Sequence, residues 1–281
     1  MRALPRCTGE GGEASLPGAE AAVRQLAGLV REATGNALPP SRHPFLAEVA
    51  ARRAAAAGSD DVEEYVRALA AGALAAEWPH LIASLTIKEG YFFRAPQQFR
   101  ALVESVLPAL VAGLGGRRLR VWSAACGRGE EPATLAMLLA ESPHLAGREW
   151  SVLATDLDEE ALAGARAGVY GARAVAQVPP ALAARWLRPC AGPPGLVELA
   201  PELRARIAYR ALNLARPPYA LPEGPFDLVL LRNLLIYFRR PLPRRALAEV
   251  ERHLAPGGRL FLGASETVWQ IHDGLEAVDL G

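Results

Sequence analysis

The chain has 281 residues, of which 51% are hydrophobic, so it can bury one large core, or one core with a smaller helical unit. Its 31 basic and 30 acidic residues leave a formal charge of +1, which excludes strong long-range attraction to nucleic acid or to an anionic membrane. Three widely separated cysteines, Cys7, Cys126 and Cys190, form no CxxC pair and favour neither a disulfide framework nor a zinc site.

The N-terminal segment MRALPRCTGEGGEASLPG lacks the apolar core of a signal peptide. No later window reaches the roughly 18 unbroken apolar residues that a membrane span requires. We therefore expect a soluble, cytoplasmic protein without membrane insertion, in which residues 1–17 form a disordered tail. We also expect a monomer.

Residues 18–85 form a predicted helical domain. Apolar residues recur at helical spacing in EAAVRQLAGLVREATG, which stops at Gly35, in HPFLAEVAARRAAAAG, and in SDDVEEYVRALAAGALAAEW, which Ser59 opens. The second segment contains Arg52 and Arg53, whose side chains diverge by about 100° on a helix, so at least one should face outward. They form either a solvated helix face or a basic surface for a partner.

After residue 117, short apolar runs alternate with helical stretches. The runs are RLRVWSA, EWSVLATD, ARIAYRAL, PFDLVLLRN and GGRLFLGASE. Strands separated by helices indicate an α/β fold with a mostly parallel, doubly wound sheet that is covered on both faces. Five prolines between residues 179 and 194 interrupt the alternation, so we expect an inserted subdomain at about residues 171–210.

The residues directly after the predicted strands form the candidate site, because ligands of an open α/β sheet lie beyond the carboxyl ends of its strands. These residues are ACGRGEE after the first strand, Asp156 after the second, Asn213 after the third and RNLLIYF after the fourth. Gly127 and Gly129 would let a ligand approach the backbone. Glu130 and the glutamate after it would repel a pyrophosphate, and neither a GxGxxG fingerprint nor a P-loop lysine is present.

A cationic nucleoside without phosphate suits this arrangement better. S-adenosylmethionine carries a sulfonium, an ammonium group and ribose hydroxyls, so carboxylates near the turn attract it. Asp156 lies 27 residues beyond Gly129, somewhat past the roughly 20-residue spacing at which dinucleotide folds place the acid for the ribose hydroxyls. Its alternative role is that of a helix N-cap or a surface acid, and the adjacent glycine turn favours the ribose role.

Five segments of the sequence closely resemble the CheR-type chemotaxis receptor methyltransferases. They are EGYFFRAPQQF, VWSAACGRGEEPATLAM, ATDLDEEALAGARAGVY, FDLVLLRNLLIYF and LAPGGRLFLGASE, in this order and with compatible spacing. The resemblance runs from about residue 20 to 270. It implies an N-terminal all-α domain at 18–85, a class I S-adenosylmethionine-dependent methyltransferase domain with a Rossmann-like sheet at 86–281, and a small inserted β-subdomain. It also implies methylation of glutamate side chains on the cytoplasmic helices of chemoreceptors.

The resemblance further implies a set of cofactor contacts at positions that match the family's motifs: Lys88, Gly90, Arg94, Glu130, Asp156, Asn213, Leu214, Arg232 and Asn233. Arg94 would bind the methionine carboxylate of the cofactor, for which a guanidinium is well shaped. A surface arginine stacked on Phe92 or Phe93 is the alternative. Tyr237 either helps to position the acceptor or is a core tyrosine, and we take Arg94 and Tyr237 as the catalytic candidates.

One segment departs from the family's pattern. Before FFR, family members usually carry Asn or Gly and then Glu-Thr, whereas this chain has KEGYFFR, with Lys88 and Gly90 at the two contact positions. Loss of the threonine hydroxyl removes about 0.5 to 1.5 kcal/mol of net hydrogen bonding. We expect weaker cofactor binding or a replacement contact from Lys88, and we expect Gly90→Thr to tighten binding if the backbone there is extended.

The sequence offers no Ser-His-Asp set, no activated cysteine and no convincing general base. A glutamate acceptor is already ionised at neutral pH and needs no base. The five histidines have no metal-ligand spacing, so we expect no metal. The segment RPPY at 216–219 is similar to a motif of amino-group methyltransferases, but it precedes the fourth strand and is interpreted as a loop.

Two alternative functions remain open. One is a methyltransferase of the same fold that acts on another protein or on RNA, although the near-neutral charge argues against a nucleic-acid partner. The other is a non-catalytic cofactor-binding module of a signalling pathway, for which the altered KEGYFFR segment is the argument.

Overall fold

The computed structural model describes residues 17–86, 89–190, 194–268 and 271–278. The chain divides into two compact units. The first comprises the described residues among 1–29 and 38–77, and the second comprises 30–37 and the described residues from 78 onward. The expected tail, apart from Pro17, lies outside the described residues, and so does Lys88.

The first unit consists of helices α1 (Pro17–Thr34), whose last turn belongs to the second unit, α2 (His43–Ala57) and α3 (Val62–Ala70). Single turns of 3-10 helix occur at Pro40–Arg42 and Ala75–Glu77. The carboxylate of Asp61 accepts a hydrogen bond from the backbone N–H of Glu64 and caps α3. The helix therefore begins after Asp61, and Ser59 does not open it.

Arg53 does not contribute to a basic surface on the first unit. Its guanidinium donates to both carboxylate oxygens of Glu77, at 2.5 and 2.8 Å, and the hydroxyl of Tyr65 donates to the same carboxylate at 3.2 Å. Glu77 and Tyr65 are buried. Arg52 is exposed, as expected of at least one of the pair, but it is paired with Glu48 at 2.7 Å. The interpretation of both arginines as a docking surface is therefore wrong for Arg53, which stabilises the helical unit.

The second unit contains nine helices and eight strands among its described residues. The helices are α4 (Trp78–Leu85), α5 (Pro96–Ala101), α6 (Leu107–Gly113), α7 (Glu130–Glu141), α8 (Glu159–Ala167), α9 (Ala172–Val175), α10 (Pro180–Trp186), α11 (Pro201–Arg204) and α12 (Leu242–Arg252). The strands are β1 (Leu119–Ala124), β2 (Trp150–Asp156), β3 (Val169–Gly171), β4 (Leu187–Pro189), β5 (Leu196–Leu199), β6 (Ile207–Ala211), β7 (Phe226–Leu231) and β8 (Leu254–Leu262). A π-helical turn at Leu102–Val106 and 3-10 turns at Pro143–Leu145 and Leu235–Tyr237 complete the set.

The main sheet has the strand order β6-β2-β1-β7-β8, and each pairing between neighbours is parallel. Every residue of β7 is buried, which shows that both faces of the sheet are covered. Leu228 and Leu230 of β7 pack into a core with Leu135 of α7, and Val229 packs into a second core with Leu247 of α12. The predicted α/β fold with a doubly wound parallel sheet is confirmed.

A second, smaller sheet lies between α8 and α11 along the chain. It is antiparallel, has the order β3-β5-β4, and includes α9 and α10 in the connection between β3 and β4. The segment Ile207–Ala211, part of which falls in the range 171–210 expected for the insert, is β6 of the main sheet. Across the described ranges no single helix is long and apolar enough to cross a bilayer; only α3 and Ala75–Leu85, taken together across a sharp bend, reach the length and composition.

Candidate functional site

The segments that follow the parallel strands come together at one edge of the main sheet. β1 lies between β2 and β7, so the turn after Ala124 is flanked by the ends of these two strands at Asp156 and Leu231. The segment after Ala211 follows next, because β6 pairs with β2. The carboxyl edge of such a sheet is where α/β proteins bind their ligands.

The turn after β1 depends on two glycines with left-handed backbone, Gly127 (φ 55°) and Gly129 (φ 89°). A Cβ atom on Gly129 would lie 3.1 Å from the hydroxyl oxygens of both Tyr170 and Tyr209, so a side chain is strained there in conformation and in space. Nothing lies within 4 Å of the corresponding position on Gly127. A ligand can therefore approach the backbone at Gly127.

Asp156 closes this turn from the end of β2. Its Oδ2 accepts a hydrogen bond from the N–H of Gly127 at 2.7 Å, and its Oδ1 accepts one from the N–H of Asp158 at 2.9 Å. Asp158, which accepts from the N–H of Ala161, is the N-cap of α8, so Asp156 does not have the alternative N-cap role. Burial raises the pKa of the Asp156 carboxyl above its ordinary value.

Glu130 is the first residue of α7, and its buried carboxylate lies against Gly90. A Cβ atom on Gly90 would be 2.5 Å from Oε2 of Glu130. The backbone of Gly90 is not left-handed, so glycine is present here because of space and not because of φ. A side chain at position 90 would require the Glu130 carboxylate to move, and tighter binding in Gly90→Thr stays a prediction. Burial raises the pKa of Glu130 as well.

Arg94 lies in a strained turn. The residues on either side of it, Phe93 and Ala95, have left-handed φ angles of 58° and 60°, a conformation that costs a non-glycine residue about 1 to 2 kcal/mol. The side chain of Arg94 is half-buried and donates to the carbonyl oxygen of Glu89 at 3.0 Å. Phe93 is buried and packs edge-on against Phe99. In the described part of the chain, Arg94 stacks on no aromatic ring, which removes the alternative role considered for it.

Arg232 connects three segments of the site. Its Nη1 donates to Glu131 at 3.2 Å, its Nη2 donates to the carbonyl oxygen of Arg94, and its guanidinium carbon lies 5.1 Å from the centre of the Phe99 ring. Glu131 also accepts from the hydroxyl of Ser123 in β1 at 2.7 Å. Nε of Arg232 is buried and has no hydrogen-bond partner among the described residues. Two of the five guanidinium N–H donors therefore hold protein segments together.

Asn213 and Leu214 also take part in the fold of this edge. Nδ2 of Asn213 donates to the carbonyl oxygen of Ala33 at 2.7 Å, and its Oδ1 accepts from the N–H of Ala215 at 2.9 Å. The carbonyl oxygen of Leu214, a buried residue, accepts from the hydroxyl of Tyr219 at 2.8 Å. The Asn213 amide therefore orients the segment after β6, whether or not it also contacts a ligand.

Glu266 organises the loop after β7, and the sequence reasoning missed it. Its Oε2 accepts from the backbone N–H groups of Asn233 and Gly263, both at 2.7 Å. Its Oε1 accepts from those of Leu234 and Leu235, at 2.8 and 2.6 Å. The left-handed φ of Asn233, 59°, is held in place by these bonds. The available signal was the position of Glu266 in GASE, directly after the last predicted strand.

Tyr237 ends the 3-10 turn that follows this loop. Its carbonyl oxygen accepts from the N–H of Ala37 at 3.0 Å, and its side chain is half-buried, so it is not a fully buried core tyrosine. Ile236 beside it is 51% exposed, one of the few large apolar side chains in the described residues that reach solvent to this extent. Both residues follow β7, the strand beside β1, at the carboxyl end of the sheet.

Residues 88–280 match the family model described as CheR methyltransferase, SAM binding domain, and this span exceeds half of the chain. The chain belongs to the CheR methyltransferase family. The chemotaxis protein methyltransferase of Salmonella typhimurium is 34% identical over 248 residues, which cover 88% of this chain and 84% of the relative. Chemotaxis protein methyltransferase 1 of Pseudomonas aeruginosa is 38% identical over 70% of this chain and 73% of its own length. The Escherichia coli chemotaxis protein methyltransferase is 33% identical over 88% and 84%, respectively.

The cofactor of this family, S-adenosylmethionine, fits the residues that the structure brings together. The open space beside Gly127 admits a ligand, and the buried carboxylate of Glu130 and the half-buried carboxylate of Asp156 suit a cation and hydroxyl groups. The described residues contain no group of three or more His, Cys, Asp and Glu side chains placed to hold a metal ion.

As the pH falls, binding of S-adenosylmethionine should begin to weaken at a higher pH than it would if the carboxyl groups of the site had ordinary pKa values. Burial raises the pKa of Glu130 and Asp156, so each takes up a proton earlier as the pH falls, and only the ionised form attracts the cationic cofactor. Because these pKa values are raised in the folded protein, protonation of the two carboxyl groups favours the folded state. Acidification should therefore lower the cofactor affinity without a loss of stability from these groups. Calorimetric titration and thermal unfolding across mildly acidic pH measure both.

Glu130→Gln is the control for this pH dependence, because it removes one of the two titrating groups and should flatten the curve. An affinity that falls only where exposed carboxyl groups titrate would contradict the assignment of these buried carboxylates to the cofactor site.

Glu266→Gln should loosen the loop after β7. Glutamine keeps one acceptor oxygen and turns an NH2 group toward two backbone N–H donors, and each lost charged hydrogen bond costs about 1.5 to 3 kcal/mol. We expect a lower melting temperature and an affinity for S-adenosylmethionine that falls by roughly tenfold or more. Glu276→Gln, at an exposed carboxylate, is the matched control. Equal affinity and stability in the two variants would show that Glu266 does not organise the site.

Proposed function

We propose that this chain transfers a methyl group from S-adenosylmethionine to glutamate side chains on the cytoplasmic helices of chemoreceptors, forming glutamyl methyl esters. Membership of the CheR methyltransferase family and the names of its relatives support this proposal. The observation that carries it is the composition of the site, which offers the carboxylates of Glu130 and Asp156 to a cation and holds its cysteine and two tyrosines in their neutral forms. The reaction would take place in the cytoplasm, where such receptor helices lie, and the enzyme would act as a monomer.

The nucleophilic groups nearest to the glycine turn are held in their neutral forms. Burial raises the pKa of the Cys126 thiol and of the Tyr170 and Tyr209 phenols, so all three remain protonated at neutral pH. None of these three groups can act as a base at neutral pH, and the carboxylates of Glu130 and Asp156 are assigned to the cofactor. The proposed site therefore favours an acceptor that is already ionised. A glutamate side chain meets this requirement, whereas an amine or a hydroxyl acceptor would have to lose a proton.

When bound, S-adenosylmethionine supplies the methyl group of its sulfonium, which becomes a neutral thioether as the glutamate oxygen takes the methyl carbon. The chain contributes position and exclusion of water. Asp156 would hold the ribose hydroxyls and Glu130 the cationic part of the cofactor, while the Arg94 guanidinium would bind its carboxylate. Tyr237, presented by the loop that Glu266 orders, would position the acceptor.

The other predicted contacts act mainly through the backbone or through their neighbours. Asn213, Leu214 and Asn233 would line the cofactor site on the segments after β6 and β7, and Gly90 makes room for Glu130. Arg232 would hold the Arg94 turn through Nη2 and the start of α7 through Nη1. The contact of Lys88 remains a prediction, because this residue lies outside the described residues.

Methyl transfer to a receptor fragment tests the proposal. The chain is incubated with methyl-labelled S-adenosylmethionine and a purified chemoreceptor cytoplasmic fragment, in parallel with the same fragment whose acceptor glutamates are replaced by glutamine. We expect labelling of the first fragment only, with label that mild base releases because an ester holds it. Asp156→Asn should abolish most of the transfer.

Two results would contradict the proposal. Tight cofactor binding without any transfer would make the chain a non-catalytic module, which the altered KEGYFFR segment would then explain. Label that survives base treatment would show that another kind of group is the acceptor.

A further inference from the structure

A group of exposed arginines follows the site loop. Residues 228–248 contain five arginines and no acidic residue. One of them, Arg232, is buried and paired with Glu131. The others are exposed, and within the part of the chain that the structure describes none of them forms an ion pair or a side-chain hydrogen bond: Arg239, Arg240, Arg244 and Arg245. We call these four residues the arginine patch.

Among the described residues, the arginine patch concentrates four unpaired arginines within seven residues of the chain, whereas other unpaired exposed arginines of the second unit, such as Arg148, lie singly in the sequence. Arg118, Arg185 and Arg188 are each paired with a glutamate, at 2.8 to 3.0 Å. Such pairs contribute little to stability, but they show that some exposed arginines on this surface have an acidic partner within reach. Around the patch the nearest acids in sequence, Asp227 and Glu249, are both buried. Its charge is therefore uncompensated by its own sequence neighbourhood.

The arginine patch also opposes the local helix. α12 begins at Leu242 with Arg244 and Arg245 in its first turn, with no acidic residue there, and with Pro241 at the N-cap, which provides no side-chain hydrogen bond. The N-terminus of a helix favours negative side chains, and four neighbouring positive charges repel one another. The arrangement thus stabilises nothing within the described chain, and an external anion would relieve it.

The position of the arginine patch links it to the site. It begins two residues after Tyr237, so the Cα atoms of Tyr237 and Arg239 are at most about 8 Å apart along the chain. Ile236, which is 51% exposed, lies on the same short segment. An apolar side chain next to four cations matches the two faces of an acidic amphipathic helix.

We propose that the arginine patch and Ile236 bind the receptor helix that carries the acceptor glutamate, with carboxylates of that helix on the arginines. This inference rests on the proposed function. Each transfer converts one carboxylate into a neutral ester, so the product helix binds the patch more weakly than the substrate helix does. The patch therefore favours receptors whose neighbouring glutamates are unmethylated, and it assists release of methylated product.

Single charge reversals test this docking surface. Arg240→Glu and Arg244→Glu should each raise KM for a chemoreceptor cytoplasmic fragment about 3- to 10-fold, because an attraction becomes a repulsion, while kcat and the S-adenosylmethionine affinity stay unchanged. KM for Arg240→Lys should remain close to that of the wild type, because the proposed contact depends on the positive charge and not on the planar shape of the guanidinium. Arg148→Glu is the matched control: the residue is exposed, unpaired among the described residues and located before β2, at the opposite edge of the sheet. A glutamate at position 244 suits the first turn of a helix, so it should not unfold the protein.

Salt dependence gives a second readout. Added salt should raise KM for the wild type and should raise it less for the Arg239→Glu, Arg240→Glu double variant, because exposed attractions are screened. An unchanged KM in the patch variants, with active wild-type enzyme, would overturn the inference and leave the proposed function intact. The inference would also be overturned if KM stayed unchanged while the patch variants lost binding to phosphatidylserine vesicles, because this result would assign the patch to a membrane surface.

If the wild type transfers no methyl group, the proposed function fails, and direct binding of the fragment still decides the patch. Retention of the fluorescently labelled fragment by the wild type and by Arg148→Glu, but not by Arg240→Glu, would support the docking surface. Equal retention by all three proteins would overturn it.

Discussion

The buried guanidinium of Arg232 is the interaction on which the site depends. It ties the end of β7 to Glu131 at the start of α7 and to the carbonyl of Arg94 in the strained turn before α5. Removing one member of a buried charge pair leaves the other uncompensated, which typically costs about 3 to 5 kcal/mol. The left-handed residues beside Arg94 would then lose the contact that holds them. Arg232 is therefore chiefly a positioning residue.

The site combines fixed negative charge with neutral potential nucleophiles. Burial keeps the Cys126, Tyr170 and Tyr209 side chains protonated, while Asp156 accepts from the N–H of Gly127 and the Glu130 carboxylate lies against Gly90. Such a site suits a cationic methyl donor. The arginine patch carries further positive charge, on the segment that follows the loop after β7.

Much of the architecture could be predicted from the sequence, because it rests on local patterns. Buried parallel strands give short apolar runs such as FDLVLL, and glycines with small neighbours mark the turn after β1. The pairings within the site could not be predicted, because Arg232 and Glu131 are 101 residues apart and Glu266 and Asn233 are 33 apart. Nor does any periodicity show that Gly90 makes room for Glu130, or that Arg53 pairs with Glu77 inside the helical unit. These contacts exist only once the segments have folded together.

A double-mutant cycle on Arg232 and Glu131 tests most directly whether this pair organises the site. Chemical unfolding and S-adenosylmethionine titration are measured for Arg232→Met, Glu131→Gln and the double variant. We predict that each single change costs about 3 kcal/mol or more and weakens cofactor binding, and that the double variant loses at least about 1 kcal/mol less stability than the sum. Strictly additive losses, or single variants with unchanged cofactor affinity, would show that the site is held together by something other than this pair.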